Sequence, residues 1–257
     1  MRYAYGITFI FSNSQFSILN SQFGRIMFIV LEGLDGAGKS TQIKLLRQMV
    51  EATGRECEYL HFPRFDAPVY GDMIARFLRG EFGSVEQVNP YLVALLYAGD
   101  RADAARQIRE WMAEGKCVIV DRYVYSNIGY QCAKVESAEE RQRLAEWIYK
   151  TEFEEFGIPR PTLSLFLDVP FGFTEAKLTS QREGADRDYL GGGQDIHEKS
   201  LDLQRRVREV YLDAAAKEQD FKVVDCSDSE GNMASPEEIF SRVAEVVKPL
   251  LELGIGN

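Results

Sequence analysis

The chain predicts an α/β fold in which a parallel sheet is covered by helices on both faces. Three observations predict it. Short apolar runs alternate with helical segments from Met27 onward. The first run opens through a glycine-rich loop directly into a helix. The residues suited to chemistry fall just after the runs, where a parallel sheet gathers its ligands.

The elements follow in order. Met27–Glu32 reads as a buried strand, and Lys39–Thr53 as a helix with Ile43, Leu46, Met49 and Val50 at helical spacing, stopped by Gly54. Cys57–Phe62 is a second strand and Val69–Leu78 a helix. Asn89-Pro90 is an N-cap followed by proline in the first turn, and the helix it opens reaches Glu114 before Gly115. Cys117–Asp121 is the third strand. Ser137-Ala138-Glu139-Glu140 is a capping box. Thr162–Asp168 is the fourth strand, limited by Pro170, and Ile196–Lys217 is helical with Leu203, Val207, Val210 and Ala214 on one face. Phe221–Asp225 is the fifth strand, and Ser235-Pro236-Glu237-Glu238 caps a last helix. Five such runs separated by helices imply right-handed crossovers in one parallel sheet.

The 257 residues suit one large α/β domain, and 45% hydrophobic with 27% charged residues is ordinary globular composition. A net charge of -10 offers no basic face, so a nucleic-acid partner is not expected. No apolar stretch reaches membrane-span length, and Ile7–Phe11 lacks the small-residue cleavage pattern of a signal peptide. Cys57, Cys117, Cys132 and Cys226 make no C-x-x-C pair, and only His61 and His197 could join them, so reduced thiols in the cytoplasm are expected rather than zinc. Residues 1–26 stand apart: Asn13-Ser14-Gln15-Phe16 recurs as Asn20-Ser21-Gln22-Phe23, and charge is nearly absent. They are expected to be a non-essential extension, with an added strand or oligomerisation arm as the alternative.

Gly33-Leu34-Asp35-Gly36-Ala37-Gly38-Lys39-Ser40 matches the phosphate-binding pattern G-x-x-x-x-G-K-[ST], with a strand before it and a helix after. Glycines let backbone N–H groups face phosphate oxygens, and the helix N-terminus adds a favourable dipole. Gly33 through Thr41 is therefore the expected ATP-binding segment, with Lys39 reaching the β- and γ-phosphates and the Ser40 hydroxyl on Mg²⁺. Asp121 ends an apolar strand beside this loop, a place to serve Mg²⁺ or a water on it, and Arg122 next to it would face the transferring phosphoryl group. Arg64 and Arg101 are further phosphate candidates. Tyr97 and Arg101, four apart, share a helix face that fits a base and a phosphate; spacing alone fits a solvated amphipathic helix equally well. Arg182 through Gly193, rich in arginine and glycine, reads as a lid over phosphates. No G-x-S-x-G, G-x-G-x-x-G or Asn-Lys-x-Asp motif supports acyl transfer, hydride transfer or guanine reading.

With these residues in place, the chain from Met27 to the final helix resembles the thymidylate kinases. The resemblance rests on Glu32 through Gln42, on Leu95 through Arg101, and on Asp121-Arg122-Tyr123 followed by Ser126 and Tyr130-Gln131. It implies a P-loop kinase fold with strand order 2-3-1-4-5 and a lid at about residues 182–195. It also implies the reaction ATP + dTMP → ADP + dTDP in deoxynucleotide synthesis, with Mg²⁺, and commonly a homodimer. Asp35 would hold the sugar 3′-hydroxyl. Phe62 and Tyr97 would pack on thymine, Gln131 would line the acceptor site, Tyr130 would crowd the 2′ position, and Arg101 and Arg122 would bind the acceptor phosphate. The chain departs from the family in three places. Arg64 falls one residue early after Phe62-Pro63. Gly36 stands where some members carry a basic residue, which directs attention to Arg182 or Arg187. The glycines 191–193 lengthen the lid. The rival readings are another P-loop nucleoside or nucleotide kinase, and an ATP-dependent binding switch.

Overall fold

The computed structural model describes residues 26–85, 87–179 and 200–252. Its strands are β1 (Met27–Gly33), β2 (Cys57–His61), β3 (Cys117–Asp121), β4 (Leu163–Asp168) and β5 (Phe221–Asp225). They form one parallel sheet in the order β2-β3-β1-β4-β5, which is the order the resemblance implies. The helices are α1 (Lys39–Glu51), α2 (Tyr70–Leu78), α3 (Pro90–Ala113), α4 (Val124–Cys132), α5 (Ala138–Lys150), α6 (Phe171–Thr179), α7 (Leu201–Ala215) and α8 (Pro236–Glu252). A π-helical turn, Thr151–Glu155, extends α5.

The period-two alternation of β1 divides the core. Met27, Ile29 and Leu31 face α1 and α8 together with Ile119, Leu165 and Leu167. Phe28 and Val30 face the other way, toward α3, α4, α5 and α7, with Val118, Val120 and Phe166. Every β1 residue is buried, as a central parallel strand requires. Burial of this apolar surface is what orders the sheet, and the polar loops at its carboxyl end inherit their positions from it.

Helix starts match their sequence signals. Asn89 accepts the Tyr91 N–H at 2.9 Å with Pro90 in the first turn. Ser235 and Glu238 exchange bonds in a complete capping box, Glu238 N–H to Ser235 Oγ at 3.2 Å and Ser235 N–H to Glu238 Oε2 at 2.9 Å. The helix expected over 196–217 is described from Leu201 to Ala215, with Ser200 as its cap; residues 196–199 lie outside the described set. Val69 is not helical. Its φ of 68° places it in a turn conformation that a β-branched residue seldom takes, so α2 begins at Tyr70. The extension 1–25 and the whole of the proposed lid, and with it Arg182 and Arg187, also lie outside the described residues.

Candidate active site

The loop between β1 and α1 is built by left-handed glycines. Gly36 and Gly38 have φ of 78° and 81°, a region open to glycine at no steric cost. Thr41 and Gln42 N–H groups donate to Gly38 O at 3.1 and 3.2 Å, closing the first turn of α1. Gly33 is needed for close approach, because a Cβ there would lie 3.2 Å from Ala37 Cβ and 3.4 Å from Leu167 O. Lys39 is buried and folded along the loop, its Nζ donating to Gly33 O at 3.3 Å and Leu34 O at 3.2 Å. Burial and then the nearby Arg122 push its pKa down, against the pull of Asp121, Asp35 and Glu32. Ser40 and Thr41 are exposed on the first turn.

Asp121 closes β3 at the same end of the sheet. Its Oδ1 lies 3.9 Å from Lys39 Nζ and has no hydrogen-bond partner among the described residues, and its Oδ2 lies 3.5 Å from His61 Nδ1. Burial pushes this carboxyl up, but Lys39, His61 and Arg122 outweigh it and hold the pKa below the ordinary value.

The corner after β3 carries Arg122 at φ 66°, another left-handed position, here without glycine. That turn aims the guanidinium back at the loop. Nη2 donates to Asp35 Oδ1 at 2.7 Å, Nη1 reaches Ser126 Oγ at 3.3 Å, and the group lies 5.3 Å from the centre of the Tyr130 ring. Tyr130 OH donates to Asp35 Oδ2 at 2.8 Å, and Gln204 Nε2 from α7 approaches the same oxygen at 3.5 Å. Asp35 thus joins the phosphate loop to the corner after β3 and to α7.

Beneath this pairing lies Glu32, fully buried at the end of β1. It accepts bonds from Tyr123 N–H at 2.9 Å, Ser126 N–H at 3.2 Å, Ser126 Oγ at 2.5 Å and Tyr211 OH at 3.0 Å. Burial raises its pKa, and these donors and the Arg122 charge oppose the rise. Burial also raises the Tyr211 pKa well above its ordinary value, which keeps that hydroxyl a donor. Glu32 therefore fixes the start of α4 and, through Ser126, one nitrogen of Arg122. The sequence offered a signal for Glu32, an acid in an otherwise apolar strand. Tyr211 gave none, because its spacing with Leu203 and Val207 reads as plain core.

The other expected site residues divide. Phe62 is buried against Tyr123, ring centres 5.8 Å apart, and Tyr97 packs partly buried on the same core. Gln131 is 1% exposed and accepts from Lys134 Nζ at 2.7 Å. Arg101, expected as a phosphate ligand, has a protein anion of its own beside it. It is 1% exposed, and its Nε and Nη2 form a fork on the two oxygens of Glu152, which Asn127 Nδ2 also bonds at 2.9 Å. A buried guanidinium needs such an anion, and Glu152 supplies it. Arg64 is likewise committed. Its Nε donates to Asp100 Oδ1 at 2.9 Å and its Nη2 to Asp103 Oδ2 at 2.7 Å.

A glycine-rich loop with its lysine, an acid at the neighbouring strand end and an arginine aimed at the loop define a P-loop phosphotransferase. The family model for thymidylate kinases matches residues 31–236. The thymidylate kinase of Mycobacterium tuberculosis strain H37Rv is 37% identical over 194 residues, covering 74% of this chain and 86% of the relative. The probable thymidylate kinase of Thermococcus kodakarensis is 32% identical over 230 residues, covering 88% and 98%. The fold also matches a solved thymidylate kinase structure from Candida albicans, with TM-score 0.67 and 22% identity over 90% of this chain and 95% of that one. The chain belongs to the thymidylate kinase family, ATP-using enzymes that phosphorylate dTMP to dTDP.

Proposed function

We propose that Gly33–Thr41 cradles the ATP phosphates, that Lys39 neutralises charge on the β- and γ-phosphates, and that Arg122 holds the acceptor phosphate for attack. The observation that carries this reading is the Asp35 carboxylate, shared by Arg122 and Tyr130 at 2.7 and 2.8 Å. It ties the donor loop to the acceptor wall. On this reading Asp35 meets the sugar 3′-hydroxyl, Tyr130 stands against its 2′ face, and Phe62, Tyr97 and Gln131 bound the base. Arg101 supports the wall from behind through Glu152, and Arg64 holds the segment after β2 to α3 through Asp100.

The acceptor is a phosphate monoester, already anionic near neutral pH, so no strong base is required. Rate enhancement then comes from alignment and charge stabilisation, and a lid arginine, Arg182 or Arg187, belongs to the same proposal. Mg²⁺ fits the donors present: the exposed Ser40 hydroxyl, and Asp121 Oδ1, a buried carboxylate oxygen without a hydrogen-bond partner. Among the described residues no trio of His, Cys, Asp and Glu forms a cage, so phosphate oxygens would supply the rest of an oxygen shell. When bound, the ion would neutralise charge on the transferring phosphoryl group.

Cytoplasmic location and a homodimer complete the proposal. Four free thiols support the first, and exposed Leu92 and Leu95 on α3 support an apolar contact face. Steady-state turnover of ATP with and without dTMP tests the core of the reading. Turnover should depend on dTMP, and Arg122→Ala should cost on the order of 10²–10³ in kcat/KM. ATP hydrolysis indifferent to dTMP would instead favour a binding switch.

A further inference from the structure

We infer that His61 is a positioning residue for Asp121, holding one carboxylate oxygen so that the other is presented to Lys39 and the nucleotide-bound cation. The inference rests on the proposed metal-side role of Asp121. It adds a residue that neither the motifs nor the loop assign.

Strand register creates the contact. His61 and Asp121 are the last residues of β2 and β3 and are direct partners in the parallel ladder. In-register neighbours emerge on the same face of a sheet. That face is the one bearing Cys117 and Ile119, which packs on α1, and α1 opens with Lys39. The Phe62 N–H donates to Asp121 O at 3.0 Å and pins the end of β2 to the end of β3. A slip of one residue would bring Leu60 or Phe62 opposite Asp121 and remove the polar contact.

The carboxylate is consequently bracketed. His61 Nδ1 stands 3.5 Å from Oδ2, and Lys39 Nζ stands 3.9 Å from Oδ1. The contact with an ionised carboxylate is attractive when Nδ1 carries the ring proton. Oδ1 is buried and has no hydrogen-bond partner among the described residues, so it is the oxygen kept available. Lys39 holds the carboxylate only loosely, because two of its three N–H groups go to the carbonyls of Gly33 and Leu34 and Oδ1 lies 3.9 Å away. Partners behind a metal-side carboxylate typically change metal affinity about 10- to 100-fold when removed.

The test compares the full chain with His61→Leu, His61→Asn and Asp121→Asn. Two quantities are read: the Mg²⁺ concentration giving half-maximal rate, and the Mg²⁺-dependent tightening of ADP binding by calorimetry. His61→Leu should raise the Mg²⁺ half-saturation about 10-fold and diminish the Mg²⁺ effect on ADP. KM for dTMP and kcat at saturating Mg²⁺ should stay within about 3-fold, since chemistry is aligned elsewhere. His61→Asn, which returns an N–H near the Nδ1 position, should recover most of the loss. If Asp121→Asn shifts both quantities and His61→Leu shifts neither, the inference is overturned and the role of Asp121 stands. If Asp121→Asn shifts neither, the metal-side role of Asp121 falls and the inference falls with it. Failure of His61→Asn to recover the loss would overturn the account by a polar contact at Nδ1.

Discussion

Tyr130 donates its hydroxyl to Asp35 Oδ2 at 2.8 Å while its ring carries the Arg122 guanidinium 5.3 Å from the ring centre. One side chain thus orients both the acid and the base of a pair. Tyr130→Phe keeps the ring and loses the hydroxyl, and should lower kcat/KM for dTMP by roughly 10- to 150-fold, the worth of a hydrogen bond to a charged group. Tyr130→Ala loses both, and should also narrow the preference for dTMP over its ribose counterpart from about 5- to 150-fold toward unity. Steady-state kinetics on the two acceptors reads both effects. An unchanged preference in Tyr130→Ala would remove the tyrosine from the sugar pocket.

Lys39→Ala should reduce kcat by on the order of 10²–10³ or more while the protein stays folded. Among the described residues the lysine bonds only loop carbonyls and faces Asp121, so its loss spares the cores on both faces of the sheet. Turnover above about a tenth of wild type would contradict its role on the phosphates, and circular dichroism checks the fold.

Asp121 should impose an acid limb on stability. Its folded pKa lies below the ordinary 3.8, where Lys39, His61 and Arg122 outweigh burial. The unfolded chain therefore binds its proton first as pH falls. The stabilisation is full above the unfolded pKa and is lost as pH falls through the folded one. Urea unfolding at several pH values from about 6 to 3 should show a shallower acid decline in Asp121→Asn than in wild type.

Glu152→Ala should destabilise the protein by about 3–5 kcal/mol, because it leaves the Arg101 guanidinium buried without its anion. Arg64→Ala also strips the buried Asp100 of its cation, but should cost less, since the residue-64 backbone N–H still bonds Asp100 at 2.9 Å and the pairing with exposed Asp103 can be replaced by water. Denaturant midpoints rank the two variants, and an equal loss would show that burial does not set the difference.

Starting the chain at Met27 should leave kcat/KM for dTMP unchanged. The catalytic and binding candidates all follow Met27, which is also the first residue of β1. Loss of folding or of turnover in this truncated form would make the extension structural.

The strands were legible because central parallel strands are continuous apolar runs, and Cys117–Asp121 was read to the residue. Helix α4 was not, and the reason is physical. All nine of its residues are buried, so Val124–Cys132 has no polar face to give a 3.6-residue period. The phosphate loop was legible because its chemistry is local. The use of Arg101 was not, because Glu152 lies 51 residues away and only the folded chain brings them together. His61 was considered only as a zinc ligand, since its link to Asp121 runs across the sheet rather than along the chain.

The left-handed backbone of Arg122 sets two selective demands against each other. Glycine would relax that turn, and a side chain without a guanidinium would retain the conformational cost, about 1–3 kcal/mol, with nothing in return. A library selected for thermal tolerance alone should therefore favour glycine over alanine at this position, while a library selected for growth that depends on its turnover should keep arginine. The corner after β3 is a place where durability is given up for turnover, and the two kinds of screen would diverge there first.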